Sequence, residues 1–188
     1  DGLALPLIAL QYHDVRLEFE FTTGQNTIVN LNTPGTAVGT KGGNVSLSNT
    51  TLLVNYIYLD SEERKRFAQA SHEYLIEQLQ FTGVESVGAT TANKVRLNFN
   101  HPVKELIWAT ERQDSTLNHF DFTDGSSANS TSKALLQLNG HDRFSEETGK
   151  FFNYVQTDTH HSRTPAAGIN VYSFALNPEE HQPSGTCN

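Results

Sequence analysis

The chain has 188 residues, a formal net charge of -8, one cysteine and no methionine. That length gives one domain with a sizeable core. The acidic balance argues against direct nucleic-acid binding, because the densest basic cluster, Arg64-Lys65-Arg66, is flanked by Glu62 and Glu63, and no run reaches the roughly 18 apolar residues of a membrane helix.

The absence of methionine, even at position 1, predicts a fragment, a processed product or an excised domain. The first residues carry no basic leader and no small-residue cleavage site, so no signal peptide is expected. A lone Cys187 cannot form an internal disulfide and fits a reducing compartment such as the cytoplasm. Abundant Thr and Asn with only 18% charged residues predict many short strands and polar loops.

In chain order, Val15, Leu17, Phe19 and Phe21 alternate with Arg16, Glu18 and Glu20, which predicts a strand with one buried face. Residues 22–50 are polar and rich in turn signals such as Thr33-Pro34-Gly35 and Lys41-Gly42-Gly43, with short β-segments expected at Thr27–Leu31 and Asn44–Leu47. Thr51–Leu59 reads as a strand apolar on both faces. Asp60-Ser61-Glu62-Glu63 then reads as a capped helix start. Phe67, Ala70, Tyr74, Leu75 and Leu79 follow at helical spacing, so one helix is expected over about 61–79, lying as a lid on the β-structure.

Lys94–Asn100 alternates again, His101-Pro102 interrupts, and Val103–Thr110 resumes as a strand carrying Trp108. Residues 114–133 read as a long solvent-facing loop with a short strand around Phe120–Phe122. Further short strands are expected at Ala134–Leu138 and Val171–Leu176, with one helical turn beginning at Ser145-Glu146-Glu147. Seven or eight short strands, long connections and one helix suggest two packed antiparallel sheets, an all-β sandwich or jelly roll.

The residues carry little that reads as chemistry. His160 and His161 are adjacent and would point to opposite faces of a strand. No cupin-like histidine pair, His-Glu-x-x-His motif, Gly-x-Ser-x-Gly elbow or phosphate loop occurs. No catalytic, cofactor-binding or metal-ligating residue is therefore assigned, and no enzyme is expected. Three Asn-x-Ser/Thr sequons, at Asn44, Asn49 and Asn129, are candidate glycosylation sites. Tyr56, Tyr58, Phe120 and Phe122 could mark a sugar-binding surface, which makes a jelly-roll carbohydrate-binding module the alternative function.

Two blocks carry a resemblance. Leu5-Pro6-Leu7-Ile8-Ala9-Leu10-Gln11-Tyr12-His13-Asp14-Val15 and the stretch from Gly168-Ile169-Asn170-Val171-Tyr172 to Cys187-Asn188 resemble segments of the major capsid proteins of nucleocytoplasmic large DNA viruses. Tyr58–Ala68 and Asn98–Trp108 are similar to further family blocks. The resemblance implies a subunit with two jelly rolls in tandem, forming homotrimeric, pseudo-hexagonal capsomers that tile an icosahedral shell. It implies that residues 1–188 are the C-terminal jelly roll, a fragment lacking the upstream jelly roll and the final strands. The implied partners are the chain itself, neighbouring capsomers and minor capsid proteins. Neither nucleic-acid contact nor membrane insertion is implied, and the implied location is the virion, assembled in the host cytoplasm. The loops near 33–43 and 114–133 are expected to face outward or toward a neighbouring capsomer.

Overall fold

The computed structural model describes residues 3–21, 47–88, 92–112, 120–182 and 185–187. The strands expected at Thr27–Leu31 and Asn44–Leu47, the loop at 33–43 and part of the 114–133 loop lie wholly or largely outside these residues. The chain divides into two compact units, Asp1–Tyr74 and Leu75–Asn188.

In the first unit, Pro6 opens a run of tight turns. The Ala9 N–H donates to the Pro6 carbonyl at 2.9 Å and the His13 N–H to Leu10 at 3.0 Å. The alternating segment at 15–21 forms no ladder among the described residues, and its apolar members stay open to solvent, Leu17 at 62% and Phe19 at 61%. Phe19 and Phe21 stack on one another, with ring centroids 6.4 Å apart. Residues 51–59 likewise carry no ladder. Period-two patterning marks which side chains would share a face, but a strand also needs a neighbour for its backbone groups.

Helix α1 spans Ser61–Gln69. It starts as the sequence dictates, with a reciprocal capping box: the Glu63 N–H donates to the Asp60 side chain at 2.8 Å, and the Asp60 N–H donates to the Glu63 carboxylate at 3.3 Å. The expected extent of 61–79 is corrected at the C-terminal end. Ala70 is already extended (φ -77°, ψ 146°). The His72 ring Nε2 donates to the Phe67 carbonyl at 2.8 Å and stacks on the Phe67 ring. That carbonyl therefore has a side-chain partner where a longer helix would use a backbone N–H. None of the helix's residues is buried, so no packing force carries it further.

The second unit is built on strands β1 (Glu105–Ala109) and β6 (Ile169–Ser173), paired antiparallel with Glu105 opposite Ser173 and Ala109 opposite Ile169. Between them come four two-residue strands. β2 (Lys133–Ala134) pairs with β5 (Glu147–Thr148), and β3 (Gln137–Leu138) with β4 (His141–Asp142). All these ladders are antiparallel. Asn139 and Gly140, at φ 52° and 83°, make the β3–β4 turn. Two successive left-handed residues match the twist of a hairpin, which is why Asn-Gly serves there.

The helical turn expected from Ser145 is displaced. Glu147 and Thr148 are drawn into β5, the helical backbone begins at Gly149, and a π-helical turn over Phe151–Val155 runs into α2 (Gln156–His160). Phe152 is 1% exposed and centres an aromatic cluster. Trp108 from β1 meets it edge-on at 5.1 Å, Phe144 lies at 5.7 Å, and Phe144 also approaches Tyr172 of β6 at 5.0 Å. Val171 and Ala175 complete the buried apolar set among the described residues. Beyond β1, Val103 and Cys187 exchange backbone hydrogen bonds of 2.8 and 2.9 Å, which ties the 185–187 stretch to the start of that strand.

Candidate functional site

Four polar residues lie buried in the second unit, and three are asparagine or threonine on helical and strand elements. Burying an amide costs free energy unless its groups are bonded. Asn153 donates through Nδ2 to the carbonyls of Ala166 and Ile169, at 3.1 and 2.6 Å. Thr157 Oγ1 donates to the Asn153 carbonyl at 2.6 Å. Asn170, on β6, accepts a 2.7 Å bond from Asn129 Nδ2, and its own Nδ2 donates to Thr131 Oγ1 and to the Gly168 carbonyl. Asn129 also donates to the Gly149 carbonyl at 3.1 Å. One amide pair thus fastens the 120–131 loop to β6 and to the start of the helical segment.

Two glycines permit that closeness. A Cβ on Gly149 would lie 2.0 Å from the Thr131 carbonyl oxygen. At Gly168, in the left-handed region at φ 90°, it would lie 2.0 Å from the Phe122 carbonyl oxygen.

The loop is braced internally as well. Arg112 Nη2 donates to Asp121 at 2.7 Å. Asp121 accepts from the Thr123 hydroxyl at 2.6 Å and from its N–H at 3.0 Å. These Thr123 bonds, with Arg112 adding to them, hold the Asp121 carboxyl below its usual range. Asp124 is likewise lowered by the Ser126 hydroxyl and N–H. Glu179 is lowered by the Ser162 N–H and hydroxyl, then by His161. In each case a carboxylate is kept charged as the acceptor of a turn, an architectural use.

The three sequons fall in different settings. Asn44 lies outside the described residues. Asn49 is exposed, at φ 56° in the first unit. Asn129 is half-buried with its amide nitrogen engaged twice. The four aromatics considered for sugar binding are divided between the units: Tyr56 and Tyr58 are exposed in the first, and in the second Phe120 is exposed and Phe122 half-buried beside Gly168. Among the described residues no group of three or more His, Cys, Asp or Glu side chains is placed to hold a metal ion. Sequence reading missed the Asn129–Asn170 link altogether. Its only signal was an asparagine in the middle of an otherwise apolar strand, where a buried amide demands partners.

This arrangement is a braced β-scaffold, and comparison with known proteins says what kind. A family model described as "Large eukaryotic DNA virus major capsid protein" matches residues 63–188, and one described as "Major capsid protein N-terminus" matches residues 1–60. The major capsid protein of Pyramimonas orientalis virus is 48% identical over an alignment covering 100% of this chain and 47% of the relative. That of Paramecium bursaria Chlorella virus 1 is 41% identical, covering 100% of this chain and 48% of the relative. A quasi-atomic model of the PBCV-1 virus capsid is similar in structure, with a TM-score of 0.56 and 39% identity over 71% of this chain and 40% of that one. The class so defined is that of virion shell components, structural rather than enzymatic. Within it, the chain belongs to the family of large eukaryotic DNA virus major capsid proteins. It spans about half the length of the curated relatives it matches.

Proposed function

We propose that this chain is part of a capsid subunit that trimerises into pseudo-hexagonal capsomers and, through contacts between capsomers, tiles an icosahedral shell. The observation that carries the reading is the match of the whole chain to major capsid proteins at up to 48% identity. The braced loop supports it, since a shell subunit needs fixed contact surfaces, and obligate contacts of this kind are large and partly apolar. The subunit works by assembly and not by catalysis. Its partners are other copies of itself, neighbouring capsomers and minor capsid proteins, with no direct hold on the genome, and assembly takes place in the host cytoplasm.

For the domains, we propose that residues 63–188 lie in the second jelly roll and residues 1–60 at the close of the jelly roll upstream. Support comes from where the two matched models meet and from the division of the chain at Tyr74. This narrows the assignment of the whole chain to the second jelly roll. Of the sequons, Asn49 is the one proposed to be open to a glycan, and Asn129 stays unmodified because its nitrogen already serves two acceptors. Cross-linking of purified virions tests the assembly reading. A ladder of this protein that accumulates at three copies supports it, and a protein absent from the shell overturns it.

A further inference from the structure

Three stretches of the second unit meet at one imidazole. His161 follows α2, Glu105 opens β1, and Glu179 lies in the turn after β6. The His161 Nε2 atom is 3.0 Å from Glu105 Oε2, and Nδ1 is 3.3 Å from Glu179 Oε1. The ring is largely buried, its side chain 15% exposed, with Glu105 at 26%. Nε2 and Glu105 Oε2 are buried and make no hydrogen bond, so what joins them is charge proximity at an angle unsuited to a hydrogen bond.

A neutral imidazole carries one N–H and an imidazolium carries two. Only the protonated ring offers a donor toward each carboxylate. Only then does the buried Glu105 oxygen face a full positive charge, without which its burial is costly.

The neighbouring charges do not supply a substitute. Lys104 Nζ is engaged by the Glu77 carboxylate and the Glu180 carbonyl. The Glu180 side chain accepts from Asn177 at 3.4 Å. His160 Nδ1 donates to the Leu176 carbonyl at 2.8 Å. Asp158 and Arg163 line an open depression together with His161, Ser162 and Thr164, which gives the ring access to solvent protons.

We propose that His161 is an acid-closed latch joining β1 to the turn after β6, tight when the ring is protonated and both carboxylates are ionised. Its signs follow directly. Raising the pH through the ordinary histidine range, about 6.5, removes the ring's charge and slackens the latch. Lowering it through the ordinary glutamate range, about 4.3, begins to neutralise the carboxylates and slackens it again. Glu179, held low first by Ser162, stays charged further into acid. The latch goes beyond the capsid reading, because it would operate in the subunit whether or not that subunit trimerises.

The test compares thermal midpoints of the full-length protein with and without His161→Gln from pH 4.5 to 8. The expected loss is about 2–4 °C near pH 5.5, fading to about zero at pH 8. A loss that stays constant across the range would show that His161 only fills space, and would overturn the proposal. Should His161→Gln fail to fold, Glu179→Gln, on the more exposed partner, is read in the same way: a loss confined to the acid window supports the latch, and no loss or a pH-independent one refutes it.

Discussion

Gly168 sets how closely the carbonyl of Phe122 can approach the start of β6. Its φ of 90° and the 2.0 Å gap left for any Cβ make alanine doubly unfavourable there. Gly168→Ala is expected to destabilise the protein by more than about 1 kcal/mol, read as a lower denaturant midpoint at unchanged slope. Phe152, touched by Trp108, Phe144 and Phe151, fills the centre of the aromatic cluster. Its truncation to alanine should cost about 3–5 kcal/mol in the same measurement. Asp121 gives a pH signature. Its carboxyl is lowered by the Thr123 bonds, so its contribution is present above the ordinary aspartate range, about 3.9, and is lost as the pH falls through the lower folded value. Amide exchange at Thr123 should rise in that acid range, after correction for intrinsic rates, and Asp121→Asn should remove the pH dependence.

At the scale of elements, helix α1 shows what sequence can and cannot reveal. Its start was legible, because the Asp60 and Glu63 capping box is a local exchange of two hydrogen bonds. Asp60→Ala should cost about 1 kcal/mol, seen as lost helical circular dichroism or a lowered midpoint. Its end was not legible. The apolar spacing through Leu79 continued, but His72 took the Phe67 carbonyl, a contact that no periodicity encodes. Strand β1 and strand β6 were both found by pattern, within a residue or two at most of their ends. The Asn139-Gly140 hairpin was available from turn chemistry and was read instead as part of a connection. The alternation at 15–21 identified a face without identifying a neighbour. The Asn129–Asn170 link, which fixes the loop, joins residues 41 apart in sequence, and no local rule pairs them.

For the whole molecule, the family is the best-supported statement, and it rested on extended blocks of sequence rather than on any single reactive residue. The chain carries half of what its curated relatives carry, so the assembly must be tested on the full-length protein. The measurement that bears most directly on the account is the mass of that protein in solution by light scattering across a range of concentrations. The account predicts a stable particle of three subunits that persists on dilution. A well-behaved monomer at every concentration, with no larger assembly, would contradict it.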